Sequence, residues 1–178
     1  MALACMWLLY GLRPDLGAAV MDRPFWAKAA FCIAVAILSF AAVARAGRPG
    51  TRLNARMLLL ATPFVVLGAL AAQDLGTATP SARMALWLGE TWRSCPFSIA
   101  ALSLPSLLFL LRALRRLAPT RPVATGFAAG LLAGGIGASA YALHCPEASI
   151  PFVATWYSLG MLTSGVLGAV LGARWLRW

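Results

Sequence analysis

The sequence predicts an all-α fold, a polytopic bundle of six membrane-spanning helices, and three observations carry that prediction. Hydrophobic residues make up 61% of the 178 and charged residues only 11%, whereas a soluble domain carries about 25% charged residues. The mean hydropathy is +0.81, and the apolar residues come in runs near the roughly 20 residues that a helix needs to cross a bilayer core about 30 Å thick. The cationic residues cluster in alternate loops. At this length the whole chain, 1–178, reads as one domain.

Taken in order, the run 2–12 is too short to cross at about 1.5 Å per residue. It reads as the outer part of a first helix whose beginning is missing. A signal-peptide core is disfavoured because no positive n-region precedes the run and Asp15 and Asp22 follow it. The span 25–44 comes next, with Lys28 close enough to its end to snorkel. Span 53–73 has Arg56 one turn inside and Pro63 mid-span, and span 94–111 has Pro105 mid-span, so both helices are expected to kink. Spans 122–143 and 151–173 complete the set.

Loop arginines orient the bundle. Arg45, Arg48, Arg52 and Arg56 follow the second span, Arg112, Arg115, Arg116 and Arg121 follow the fourth, and Arg174 and Arg177 end the chain, with no acid among them. All five acids, Asp15, Asp22, Asp74, Glu90 and Glu147, fall on the opposite side. The arginine side, with the C-terminus, is therefore expected in the cytoplasm. Trp87, Trp92, Trp156, Trp175 and Trp178 sit near helix ends, where interfacial belts form.

Small residues recur at four-residue spacing in the last two spans: Gly126, Gly130 and Gly134 in one, Gly160, Ser164, Gly168 and Gly172 in the other. Such stripes let helix backbones approach closely, and these two helices are joined by a short loop, so the stripes are expected to pack on each other. No carboxylate lies deep in a span, which disfavours a proton or ion pathway. No catalytic triad, phosphate loop or HExxH motif is present, so an enzyme is not expected. Despite a net charge of +10, the lack of a lysine-rich face speaks against direct nucleic-acid binding.

Cysteine supplies the chemistry. Cys5 and Cys32 lie in apolar helices, where a thiol acts as a small hydrophobe. Cys95 and Cys145 lie at the acidic, outer ends of helices, each before a proline. A structural disulfide, a two-thiolate site for a soft heavy-metal ion, and a reversible redox switch all fit such a pair. Arg93 beside Cys95 would stabilise a thiolate, and His144 or Glu147 would supply an auxiliary metal ligand. A thiol–disulfide oxidoreductase is a weaker reading, because its usual CxxC is absent. A structural subunit of a larger membrane complex is the third class.

The segment Trp92-Arg93-Ser94-Cys95, the run Leu114-Arg115-Arg116 leading to Pro119 and Pro122, and the stretch 141–160, YALHCPEASIPFVATWYSLG, resemble the NrsF family across essentially the whole chain. The resemblance implies a bacterial inner-membrane anti-sigma factor, a negative regulator of an extracytoplasmic-function (ECF) sigma factor. It implies further that Cys95 and Cys145 are the periplasmic pair that senses heavy metal or oxidant, with the sigma factor held on the cytoplasmic side. Family members carry a cytoplasmic stretch before the first helix as the sigma-binding element. This chain opens inside the first span and is expected to lack that element.

Overall fold

A computed structural model describes residues 2–11, 13–46, 58–117 and 119–176. Within them the chain is helical, with no strand. Helix α1 (Ala2–Leu9) is followed by a single turn, α2 (Leu16–Ala19), and the long α3 (Arg23–Ala46). A 3₁₀ turn, Leu58–Ala61, leads into α4 (Thr62–Thr77), then the short α5 (Pro80–Leu88). Helices α6 (Cys95–Arg115), α7 (Pro122–Tyr141) and α8 (Ile150–Trp175) complete the bundle.

Five helical stretches are long and apolar enough to cross a membrane: α3, Leu58–Thr77, α6, α7 and α8. The expected sixth is represented by α1, whose eight residues extend about 12 Å at the helical rise. Its Ala2 and Met6 are buried where it packs on α6 and α7. The expected start at residue 53, and Arg48, Arg52, Arg56, Arg177 and Trp178, lie outside the described residues. Pro63 is not mid-helix. It occupies the first turn of α4, where proline's missing N–H has no partner to lose, so no kink is required. Pro105 does lie inside α6.

Helix α7 is the centre. It packs most extensively on α8, then on α3 and α6, and glycine sets each distance. A Cβ at Gly126 would lie 2.2 Å from the Gly168 carbonyl oxygen, and one at Gly130 2.2 Å from that of Ser164. On other faces, a Cβ at Gly135 would meet the Ala36 nitrogen of α3 at 2.9 Å, and one at Gly137 the Ile99 oxygen of α6 at 3.0 Å. Gly134 lies against Met161, and Gly172 against Pro122 and Gly126. Gly160 departs from the expected stripe: it faces Ile99 and Pro96 of α6. Ser164 also serves α6, because its hydroxyl meets that of Ser103 at 2.8 Å in the buried interior. A hydroxyl pair there satisfies polar atoms that apolar surroundings would otherwise leave unbonded.

These contacts make α7 antiparallel to both α6 and α8, so Arg112, Arg115, Arg121 and Arg174 gather at one end of the bundle while Cys95 and the 142–149 loop meet at the other. A leucine in the α7–α8 contact must push backbones apart. Gly130→Leu and Gly168→Leu are expected to lower stability by about 1–3 kcal/mol through overpacking, whereas Gly68→Leu, with nothing within 4 Å of its Cβ, should be near neutral. Thermal unfolding of the three purified variants in detergent checks this; equal midpoints would contradict it.

Candidate functional site: a buried thiol pair

Cys95 is the first residue of α6, and Cys145 sits in the loop between α7 and α8. Fifty residues apart in sequence, the two thiols are in direct side-chain contact. Both are free thiols and both are fully buried, at 0% exposure. They are not presented to solvent as an open outer loop would present them.

Every neighbouring element contributes a wall. Tyr157 of α8 is fully buried beside Cys145, and its ring lies 6.5 Å from that of the equally buried Phe152. Residues 153–157 form a π-helical turn within α8, the local widening often found at functional positions. Tyr157 ends that turn beside Cys145, and its hydroxyl finds no partner of hydrogen-bonding geometry. The Thr91 hydroxyl lies 3.7 Å from the Cys145 sulfur.

Lys28 closes the floor. The sequence places it near a helix end for snorkelling, but its side chain is 1% exposed. Its Nζ donates to the carbonyl oxygens of Cys145 at 2.9 Å and Glu147 at 2.7 Å, and it stands 5.7 Å from the centre of the Tyr157 ring. A lysine that turns inward trades hydration of its charge for bonds to this loop, and its direction is not readable from hydropathy. The signal that could have marked it is its singularity: it is the one lysine of the chain.

The residues expected to assist the thiols do other work. Arg93 is exposed and stacks on the Trp92 ring at 5.0 Å. The His144 Nδ1 lies 3.2 Å from the Gly11 carbonyl oxygen, and its ring meets Tyr10 and Tyr141. The Glu147 carboxylate accepts the Glu90 backbone N–H at 2.7 Å and lies against Gly89, whose φ of +55° suits glycine. Two groups of contacts fasten covers over the loop. From one side, the α5 segment is held by Glu147, by Ser149 donating to the Leu86 carbonyl at 2.7 Å, and by Trp156 donating to that of Trp87 at 2.9 Å. From the other, Tyr10 donates to Ser98 at 3.1 Å and the Arg13 N–H to the Leu143 carbonyl at 3.3 Å. Trp87, Trp92 and Trp156 stack as a cluster rather than standing singly at an interface.

The Cys145 thiol is held below its ordinary range, first by its bond with Cys95, then by the Lys28 charge, against the opposing effect of burial. The pair is therefore asymmetric: Cys145 is the sulfur that gives up its proton more readily, and disulfide formation needs one attacking thiolate beside a second thiol. Among the described residues, no three His, Cys, Asp or Glu side chains are grouped to hold a metal ion.

The family described as NrsF, negative regulator of sigma F, matches residues 1–178. The chain is 46% identical over 173 residues to a probable anti-sigma-F factor of Azospira oryzae, covering 97% of this chain and 81% of that protein. It is 44% identical over 170 residues to an anti-sigma-F factor of Caulobacter vibrioides, covering 93% and 78%. No solved structure matches.

A lowered thiol pKa leaves thiolate present at a pH where an ordinary cysteine is protonated, and that thiolate is lost only as pH falls through the lowered value. With a small permeant alkylating reagent, Cys145 should keep its reactivity to lower pH than an unstructured cysteine peptide does, and Cys95→Ser should move its profile upward. Peptide mass spectrometry across a pH series checks this; a Cys145 profile that coincides with the peptide's would contradict it.

Proposed function

The chain belongs to the NrsF family of negative regulators of sigma F, and from that premise we propose that it is an integral membrane anti-sigma factor switched by oxidation of Cys95 and Cys145. Its role is regulatory rather than catalytic. The partner is a sigma factor of the ECF class, held at the arginine-bearing end of the bundle. That end faces the cytoplasm of a bacterial inner membrane and the thiol end faces the periplasm. The positive-inside bias supports this orientation, and the length and hydropathy of the five helices support insertion in the bilayer.

The observation that carries the reading is the meeting of two free, fully buried thiols from distant parts of the chain, in direct contact and unbonded. A peroxide-class oxidant supplies the two-electron step. The Cys145 thiolate attacks the peroxide oxygen, giving a sulfenic acid and releasing hydroxide. Cys95 then displaces the sulfenic oxygen as water and forms the disulfide. Burial of the pair means that the covers made by α5 and by Tyr10 and Arg13 must open first, which limits the reaction to oxidants that are small or present for long.

Switching a partner from mostly held to mostly released requires about 5.5 kcal/mol of differential affinity. For a two-electron couple, about 30 mV corresponds to 1.4 kcal/mol, so a poise roughly 120 mV above the pair's own potential suffices. An exposed ion pair, at about 0–1 kcal/mol, does not.

Cys95→Ser and Cys145→Ser are each expected to abolish induction of a sigma-F-dependent reporter by peroxide, with the double variant matching either single one, because the pair acts as a unit. Partial responses that add between the two variants would rule out a shared site.

A further inference from the structure

We propose that Lys28 is the positioning residue through which α3 registers the state of the thiol pair: its buried ammonium is both the counter-charge of a thiolate at Cys145 and the tie that holds the 145–147 backbone. The proposal rests on the redox reading of the pair given above.

The geometry begins with an imbalance. A charge taken out of water is costly unless it is paired, and Lys28 is 1% exposed. Among the described residues the ion pair that forms is Arg13 with Asp15, and no carboxylate pairs with Lys28. The nearest acid in sequence to its carbonyl acceptors, Glu147, spends its carboxylate on Glu90. The groups that face Lys28 are instead Cys32 on its own helix, Cys95 from α6, Cys145 from the loop, Tyr157 from α8 and the like charge of Arg13. Two carbonyl oxygens satisfy its hydrogen bonds but carry no net charge. A thiolate does, and Cys145 is the thiol whose own backbone Lys28 already holds.

Oxidation removes that anion. The reduced pair, one thiolate and one thiol, gives up two electrons to the peroxide and becomes a neutral disulfide, while the thiol's proton leaves in water. Lys28 is then a buried cation with no counter-charge. The strain is relieved by giving up the ammonium's proton or by withdrawing the side chain, and both weaken its hold on the Cys145 and Glu147 carbonyls. The N-terminal end of α3 is thereby released from the loop. Because α3 runs the length of the bundle to Arg45 at its other end, a change made at the thiols is carried to the arginine-bearing end by one continuous helix.

The test is the midpoint potential of the pair in the full chain in detergent, equilibrated in glutathione buffers and read by mass spectrometry of the two cysteine peptides. Lys28→Met removes charge and hydrogen bonds. Lys28→Gln keeps a donor for the carbonyls and removes only the charge, and Lys28→Arg restores it. At a fixed glutathione ratio, the disulfide-to-dithiol ratio should rise about tenfold in both the Met and Gln variants and return toward wild type in Arg. A wild-type ratio in Gln would overturn the proposal. Should these variants not fold, the wild-type chain suffices: a neutral permeant acylating reagent should modify Lys28 faster once the pair is oxidised, and equal rates before and after oxidation would overturn the proposal. A wild-type chain that forms the disulfide without releasing sigma-F-dependent transcription would instead defeat the proposed function and leave the role of Lys28 standing.

Discussion

The contact between the backbones of α7 and α8 is the constraint on which the remainder of the molecule rests. Where Gly126 and Gly130 face Gly168 and Ser164, there is no room for a single added carbon. Helices this close gain dispersion contacts along their whole length, and inside a bilayer, where hydrophobicity does not drive helices together, such contact is the main source of cohesion. With α8 fixed on one face of α7, α3 and α6 settle on two others through Gly135 and Gly137. The helix at the centre is therefore the one with the smallest side chains, and its neighbours supply the bulk.

That arrangement determines where chemistry can occur. Antiparallel packing of α7 between α6 and α8 brings the start of α6 beside the loop that leaves α7, so Cys95 meets Cys145 without either belonging to a local motif. The same geometry carries the N-terminal part of α3 under the loop and brings Lys28 to the Cys145 and Glu147 carbonyls. Aromatic rings pack around this end of the bundle: Tyr157 beside Cys145 with Phe152 behind it, and the tryptophan cluster that joins Trp87 of α5 to Trp156 of α8. Reactivity here is a matter of opening as well as of thiolate character, since a fully buried sulfur meets its oxidant only when a cover lifts.

Much of this was legible in the sequence because hydropathy reports directly on helices long and apolar enough to cross a membrane. The five long helices, the small-residue spacing and the placing of Cys95 at a helix start and Cys145 in a loop all follow from one-dimensional patterns. What was not legible depended on direction. Lys28 reads as a snorkelling cation because its distance from the helix end is visible and its rotation toward the core is not. Arg93 reads as the helper of Cys95 by adjacency, yet neighbours in sequence point to different sides of a helix start, and it lies on Trp92 instead. Gly160 belongs to the stripe by spacing, but each four-residue step overshoots a 3.6-residue turn by about 40°, so the stripe drifts around the helix and its first member faces α6. Pro63 was read as mid-span because apolar residues precede it; the 3₁₀ turn at Leu58–Ala61 makes it a helix start. The short α5 carries too few apolar residues to announce itself, and its role as a cover depends on partners more than 50 residues away.

Every step beyond the thiols depends on the pair closing when the signal arrives. Cells carrying the wild-type chain, exposed to graded peroxide and quenched with acid, allow the Cys95–Cys145 disulfide to be counted by mass spectrometry alongside sigma-F-dependent transcription from the same cultures. The account predicts that the disulfide appears at the dose and time at which transcription begins, and that both recede together when the oxidant is removed. Transcription that rises while Cys95 and Cys145 remain as free thiols would contradict it.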